Sequence, residues 1–315
     1  VKVVVVGAGA WGTAFARVLA ERGHDVTLAA RDPDQARAIV ETGRNPRYLS
    51  DVSLAGIGAV SLAEAPAADL TVLAVPSRAF AEVVEGLPED GPVLSLTKGL
   101  DPATGNRLST LLGDRPVAVL SGPNFAEEIG HGLPAAAVIA SEDVELAERL
   151  QQELNSLIFR VYVNADVIGV ELAAASKNVI ALAAGGVDGL GLGDNAKSGI
   201  VTRGLAEMAR LGLASGGRNE TFSGMAGIGD LIVTCWSHHG RNRRAGELIA
   251  QGASPEEAAA EIGTVEGLTT APVLRDLSQR VGVEMPITNA VCEILEGRSL
   301  DELIAGLMGR RPTAE

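Results

Sequence analysis

Residues 3–12 read VVVVGAGAWG, and this stretch decides how the rest of the chain is read. Four consecutive valines make a short apolar run suited to a strand buried on both faces. Gly7, Gly9 and Gly12 follow in G-x-G-x-x-G spacing, and a helical pattern over 11–22 comes next. Gly7 permits the tight turn, Gly9 lets a pyrophosphate approach the backbone, and Gly12 lets the helix pack close to the strand. The helix N-terminus offers N–H donors and a partial positive charge to the phosphates. Three glycines alone are a weak signal. Seated between a strand and a helix, they predict a dinucleotide site.

Outward from this unit, β-branched runs recur at 26–29, 70–75, 93–96, 117–120, 137–140 and 160–163. Helical patterns at 33–42, 79–85 and 142–156 lie between several of them, which predicts βαβ units and a mainly parallel sheet. After Asn164 the strand signal stops. Helical patterns follow at 166–185, 196–213, 227–234, 242–251, 255–262, 269–281, 287–296 and 300–308. The expected architecture is α/β: a Rossmann-like domain over 1–165, then an all-helical substrate-binding domain over 166–315.

The chain has 315 residues, with 40 acidic against 26 basic side chains and a net charge of −14, which argues against nucleic acid or an anionic membrane as partner. Aromatics are only 3% against 46% hydrophobic residues, so the core must be aliphatic. Cys235 and Cys292 have no paired spacing, and no secretory leader is visible, so a reducing cytoplasm is expected. Lysine is scarce: Lys2, Lys98, Lys177 and Lys197 are the only four, and arginine supplies the other 22 of 26 cations. Lys98 and Lys177 sit in mostly uncharged segments, where a compact, titratable ammonium is the distinguishing property. Lys177 lies in ELAAASKNVIALAAGGV, a helix apolar nearly all round and therefore expected to be buried, although too broken by Ser-Lys-Asn to span a membrane.

Other candidates lie where strands end, which is where open α/β sheets bind ligands. Arg31 ends the second strand with Asp32 one step on; arginine there suits the 2′-phosphate of NADP, an acid the ribose of NAD. Lys98 follows a buried strand in LSLTKG, and SGPNFAEE sets Gly122, Asn124 and Ala126 at a helix start. Asp230 and Thr234, four apart, share a helix face. Arg241, Asn242, Arg243 and Arg244 form a basic cluster suited to an anion, because guanidinium pairs bidentately with phosphate. Cys235, His238 and His239 lack a complementary cluster, so no metal site is assigned.

In order along the chain, GAGAWGTAFA, NPRYL, AVPS, TKGL, SGPNFAEE, ELAAASKNVIALAAGGVDGLGLGDNAK, TRGLAEMARLG, FSGMAGIGDLIVTC, GRNRRAG, VEG and GVEMPI closely resemble the bacterial NAD(P)-dependent glycerol-3-phosphate dehydrogenases. The resemblance implies reversible reduction of dihydroxyacetone phosphate to sn-glycerol 3-phosphate, feeding glycerophospholipid synthesis, by a cytoplasmic homodimer. NADP(H) is the preferred cofactor on the strength of Arg31, with NAD(H) possible. By motif, Lys177 resembles the proton donor and acceptor, with Lys98, Asp230 and Thr234 beside it. Gly122, Asn124, Asn178, Gly240, Arg241 and Asn242, with Lys98, Lys177 and Asp230, resemble substrate contacts. Gly7, Gly9, Ala10, Trp11, Gly12, Arg31, Lys98, Ala126, Arg241, Val265 and Glu266 resemble cofactor contacts. Asn124, Ala10 and Gly240 stand where serine (or, for Asn124, threonine) is common in that family.

Burial in an apolar helix is expected to lower the pKa of Lys177 towards working pH, and a neighbouring Asp230 to raise it again. Two rival readings remain at this point. A β-hydroxyacid or ketopantoate-type dehydrogenase shares the architecture and a catalytic lysine but recognises a carboxylate. A non-catalytic NADPH sensor leaves Lys177 and Asp230 without a purpose.

Overall fold

The computed structural model describes residues 1–88 and 91–298; the helix expected over 300–308 lies outside them. The chain begins β1 (Lys2–Val6), α1 (Ala10–Glu21), β2 (Asp25–Ala30), α2 (Pro33–Thr42), β3 (Gly58–Ser61), β4 (Leu70–Leu73), α3 (Phe80–Glu85) and β5 (Val93–Ser95). It continues β6 (Val117–Ser121), α4 (Ala126–Gly130), β7 (Ala135–Ala140), α5 (Val144–Leu154) and β8 (Phe159–Asn164). The strands form one sheet in the order β3-β2-β1-β4-β5-β6-β7-β8. All neighbours are parallel except β6 and β7. The strand order reverses between β1 and β4, and a crevice opens at such a switch point beyond the strand ends.

The valine run is β1, central in the sheet and buried from Val3 to Val6, as a parallel strand covered on both faces must be. The edge strand β3, GAVS, has no counterpart among the strands expected from the sequence. It holds a single β-branched residue and none of its residues is fully buried, so it carries little period-2 signal.

Beyond β8 come α6 (Val167–Gly189), α7 (Gly193–Ala214), α8 (Asn219–Phe222), α9 (Asp230–Trp236), α10 (Arg241–Ala250), α11 (Pro255–Ile262), α12 (Glu266–Arg280) and α13 (Pro286–Leu295). Asp166 caps α6, its carboxylate accepting the Gly169 N–H at 2.8 Å. Ser254 and Glu257 close a reciprocal capping box on α11, as the Ser-Pro start predicts. By length and hydropathy α6 could cross a membrane, but 89% of its most apolar window is buried inside the protein, so it serves as a core helix.

Two features fix α6 against the sheet. Val119, Val138 and Ala140 of the strands share one apolar cluster with Val170, Ala173 and Ile180 of α6. The buried Glu171 carboxylate accepts from the Ser109 N–H (2.9 Å), the Ser109 hydroxyl (2.5 Å) and the Arg107 guanidinium (2.9 Å). Lys177, two turns further along α6, therefore has a fixed relation to the ends of the strands.

Candidate active site

The glycine-rich turn has the cradle shape that a pyrophosphate requires. At Gly7, φ is +112°, and a Cβ there would lie 2.4 Å from the Ala74 carbonyl oxygen just past β4. A Cβ on Gly12 would lie 1.9 Å from the Gly7 carbonyl oxygen, so α1 packs against its own turn. At Gly9 the same construction meets nothing within 4 Å. Gly9 is the N-cap of α1 and brings no side chain to the first N–H groups, which stay available to an anion. These observations fit a dinucleotide phosphate.

Asn45 of NPRYL holds this turn from behind. Its amide donates to the Ala8 carbonyl (3.0 Å) and the Thr13 hydroxyl (2.8 Å), and its oxygen accepts from Gln35 (3.0 Å). Trp11 stacks edge-on against Phe15 at 5.5 Å, and its buried indole N–H has no partner among the described residues. At the end of β2, Asp32 is occupied by structure. It caps α2 through the Asp34 N–H (2.9 Å) and pairs with Arg47, and these two contacts hold its carboxyl below the usual range. The Arg31 side chain is exposed and makes no hydrogen bond or ion pair among the described residues.

Across the crevice, the strand ends and α6 converge on Asp230. Lys177 donates to one carboxylate oxygen at 2.8 Å and to the Thr234 hydroxyl at 2.9 Å; Lys98 donates to the other oxygen at 2.7 Å. The Thr234 hydroxyl lies 3.2 Å from Asp230, as the four-residue spacing requires. Lys98 also donates to the Gly122 carbonyl (3.1 Å) and the Asn124 side-chain oxygen (2.7 Å). That leaves the buried Asn124 amide nitrogen without a partner among the described residues. Gly122 has φ +128°, and a Cβ there would press on Ala137 at 3.0 Å.

Burial alone would raise the Asp230 pKa, but the ammonium groups of Lys177 and Lys98 outweigh it and hold the carboxyl below the usual carboxylate range. Burial lowers the Lys98 pKa to about 8; Asp230 opposes the shift and Lys177 adds to it. Two cations on one buried carboxylate leave the centre with an excess positive charge, the sign needed where a carbonyl oxygen becomes an alkoxide.

The third wall is the start of α10 and of α12. The buried Asn242 amide donates to the Asn178 side-chain oxygen (2.9 Å) and its oxygen accepts the Gly267 N–H (2.8 Å). Arg243 and Arg244 are paired with Asp188 and Glu261, whereas the exposed Arg241 guanidinium makes no hydrogen bond or ion pair among the described residues. Gly240 is buried, and a Cβ there would lie 2.7 Å from the Thr234 carbonyl oxygen. Ala126 and Val265 stand at the N-terminal ends of α4 and α12. Glu266 is bound to Ser77 of AVPS, accepting its hydroxyl at 2.6 Å and its N–H at 3.3 Å. Burial raises the Glu266 pKa, and the charge of Arg241 lies close enough to oppose this. The sequence reading did not anticipate the Glu266–Ser77 bridge; that both lie in short resembling motifs was the one signal available.

The chain resembles known proteins along nearly its whole length. Residues 2–147 match the family model described as NAD-dependent glycerol-3-phosphate dehydrogenase N-terminus, and residues 166–305 match that of its C-terminus. A glycerol-3-phosphate dehydrogenase [NAD(P)+] of Moorella thermoacetica is 47% identical, over 99% of this chain and 97% of its own. One from Chlorobium limicola is 46% identical over 99% of each. The crystal structure of glycerol-3-phosphate dehydrogenase from Coxiella burnetii superposes with a TM-score of 0.93 at 37% identity, covering 98% of this chain and 99% of that one. In both its α/β and its helical part, the chain belongs to the NAD-dependent glycerol-3-phosphate dehydrogenase family.

Proposed function

We propose that the chain reduces dihydroxyacetone phosphate to sn-glycerol 3-phosphate, and the reverse, with Lys177 as the general acid and base. The observation that carries this reading is Asp230 gripped by both Lys98 and Lys177 at the ends of the strands. A reduced nicotinamide, when bound, supplies the hydride. The chain's own groups do the rest. The Lys177 ammonium polarises the ketone and passes a proton to the oxygen as it gains charge. Asp230 and Thr234 fix the direction of that ammonium, and the hydroxyl lets it re-form its hydrogen bonds after the transfer. Lys98 and the free amide of Asn124 orient the substrate, and the Asn178–Asn242 pair shapes the site beyond Lys177.

Arg241 and Asn242 are the phosphate ligands in this reading. An unpaired guanidinium beside a fixed amide at a helix start is suited to a dianion. Arg241→Ala is expected to raise KM for dihydroxyacetone phosphate by about tenfold to a hundredfold, the loss of a charged hydrogen-bonded contact. Steady-state kinetics at fixed cofactor check this, and an unchanged KM sinks the assignment.

The Lys98 pKa of about 8 gives a pH prediction. Lys98 carries its charge below that value and loses it above, so kcat/KM should fall as pH rises through the region. Lys98→Arg keeps the charge at higher pH and should move the falling limb upward, whatever it does to the maximum rate. An unmoved limb in the variant assigns the titration to another group.

Gly7, Gly9, Ala10, Trp11, Gly12, Ala126, Val265 and Glu266 would hold the dinucleotide, with residues 1–165 as the nucleotide-binding domain and 166–315 as the substrate domain. NADPH is the preferred form, because Asp32 is spent on capping α2 while Arg31 is free for a 2′-phosphate. A cytoplasmic homodimer serving glycerophospholipid synthesis completes the proposal.

A further inference from the structure

Beneath the phosphate wall lies a charged cluster that the chemistry above does not use. Lys197 of α7 is buried, and its ammonium donates to an Asp188 carboxylate oxygen on α6 at 2.7 Å. Arg243 of α10 donates to the same oxygen. The Lys197 ammonium also lies 5.1 Å from the centre of the Trp236 ring. Arg243 reaches back as well, its Nε donating to the Ser237 carbonyl at 3.2 Å and its other arm meeting Glu247 at 3.2 Å. One guanidinium therefore ties α6, the turn 237–240 and the first turns of α10 together.

The backbone geometry makes that tie consequential. Helices α6 and α10 touch main chain to main chain. A Cβ on Gly185 would lie 1.8 Å from the Arg243 carbonyl oxygen, and one on Gly246 would lie 2.0 Å from that of Leu182. No side chain cushions the contact, so a shift of α10 is transmitted directly to its first residues. Those residues are Arg241 and Asn242, and Asn242 must meet both Asn178 and Gly267. Holding one buried and one half-buried cation on a half-buried carboxylate adds little stability, because desolvation offsets much of the attraction. It is an effective way to fix one geometry.

We propose that Asp188, Lys197 and Arg243 form a positioning cluster that sets the register of the 237–240 turn and the start of α10, and through it affinity for the substrate phosphate. This rests on the reading of Arg241 and Asn242 as the phosphate ligands. The cluster touches no substrate; it holds the residues that do.

Arg243→Lys retains the charge, and with it the pair to Asp188, but cannot also reach the Ser237 carbonyl. It is expected to raise both KM for dihydroxyacetone phosphate and the inhibition constant of inorganic phosphate about tenfold, with kcat, KM for NADPH and Tm nearly unchanged. Asp188→Asn is expected to do the same more strongly; should it fail to fold, the charge-conserving Arg243→Lys decides. Arg241→Ala is measured alongside. Phosphate inhibition unaltered in Arg241→Ala overturns the phosphate reading and the positioning role with it. A rise in Arg241→Ala with none in Arg243→Lys overturns the positioning role alone. A uniform fall of kcat, both affinities and Tm in Arg243→Lys also overturns it, because it marks a merely structural role.

Discussion

Lys177→Met is expected to lower kcat on the order of a thousandfold to ten-thousandfold while leaving the fold and NADPH affinity intact. Methionine matches the length and shape of the lysine stem, so α6 keeps its packing. Asp230 keeps Lys98 as a partner, so no buried carboxylate is stranded. Removing a buried cation avoids its desolvation cost, and thermal stability should hold or rise slightly. What disappears is the proton and the positive charge beside the carbonyl oxygen. Turnover near the wild-type rate, with the variant shown to be folded by circular dichroism, removes Lys177 from the mechanism.

Asp230→Asn should be the more damaging change, because it acts on stability and chemistry together. The carboxylate is the shared partner of two ammonium groups, and its loss leaves both in a buried site. Breaking such a pair costs on the order of 3–5 kcal/mol when the remaining charge stays buried. Activity should fall at least as far as in Lys177→Met, since both lysines lose their alignment. The double variant Asp230→Asn, Lys177→Met provides an internal check: removing one stranded cation should restore part of the lost stability. If the two single-variant changes in unfolding free energy simply add, Asp230 is not the counter-charge of Lys177.

These effects were only partly legible in the sequence. The β1–α1 unit was, because the apolar run and the glycines at 7, 9 and 12 each answer a steric demand that the structure meets at Ala74 and Gly7. The pairing of Asp230 with Thr234 was also readable, since residues four apart on a helix share a face. The helix carrying them was expected at 227–234 and runs Asp230–Trp236, preceded by a wider turn over Met225–Gly229. There Gly227 has ψ −106° and packs so closely on Phe222 that a Cβ would lie 2.1 Å from its carbonyl oxygen. A tertiary contact thus moved the boundary. The helix expected at 269–281 starts earlier, at Glu266, behind Val265, which supplies no side-chain cap and so no start signal.

Long-range convergence was the least legible feature. Lys177 and Asp230 are 53 residues apart and Lys98 and Asp230 are 132 apart, and no local spacing encodes either contact. The family resemblance brought them together before the geometry did. Arg243 was read only as part of an anion-binding cluster, and Asp188 and Lys197 were given no role, although the scarcity of lysine already marked Lys197 as one of four. Only the fold reveals that α7 buries it against α6.

The central claim, that this site reduces a phosphorylated ketone, is tested most directly by following oxidation of NADPH and of NADH, separately, by the purified protein. Dihydroxyacetone phosphate is the substrate and a 2-ketoacid the control. The account predicts oxidation of both cofactors with dihydroxyacetone phosphate, faster with NADPH at limiting concentration, and none above background with the ketoacid. Oxidation with the ketoacid and none with dihydroxyacetone phosphate would contradict it.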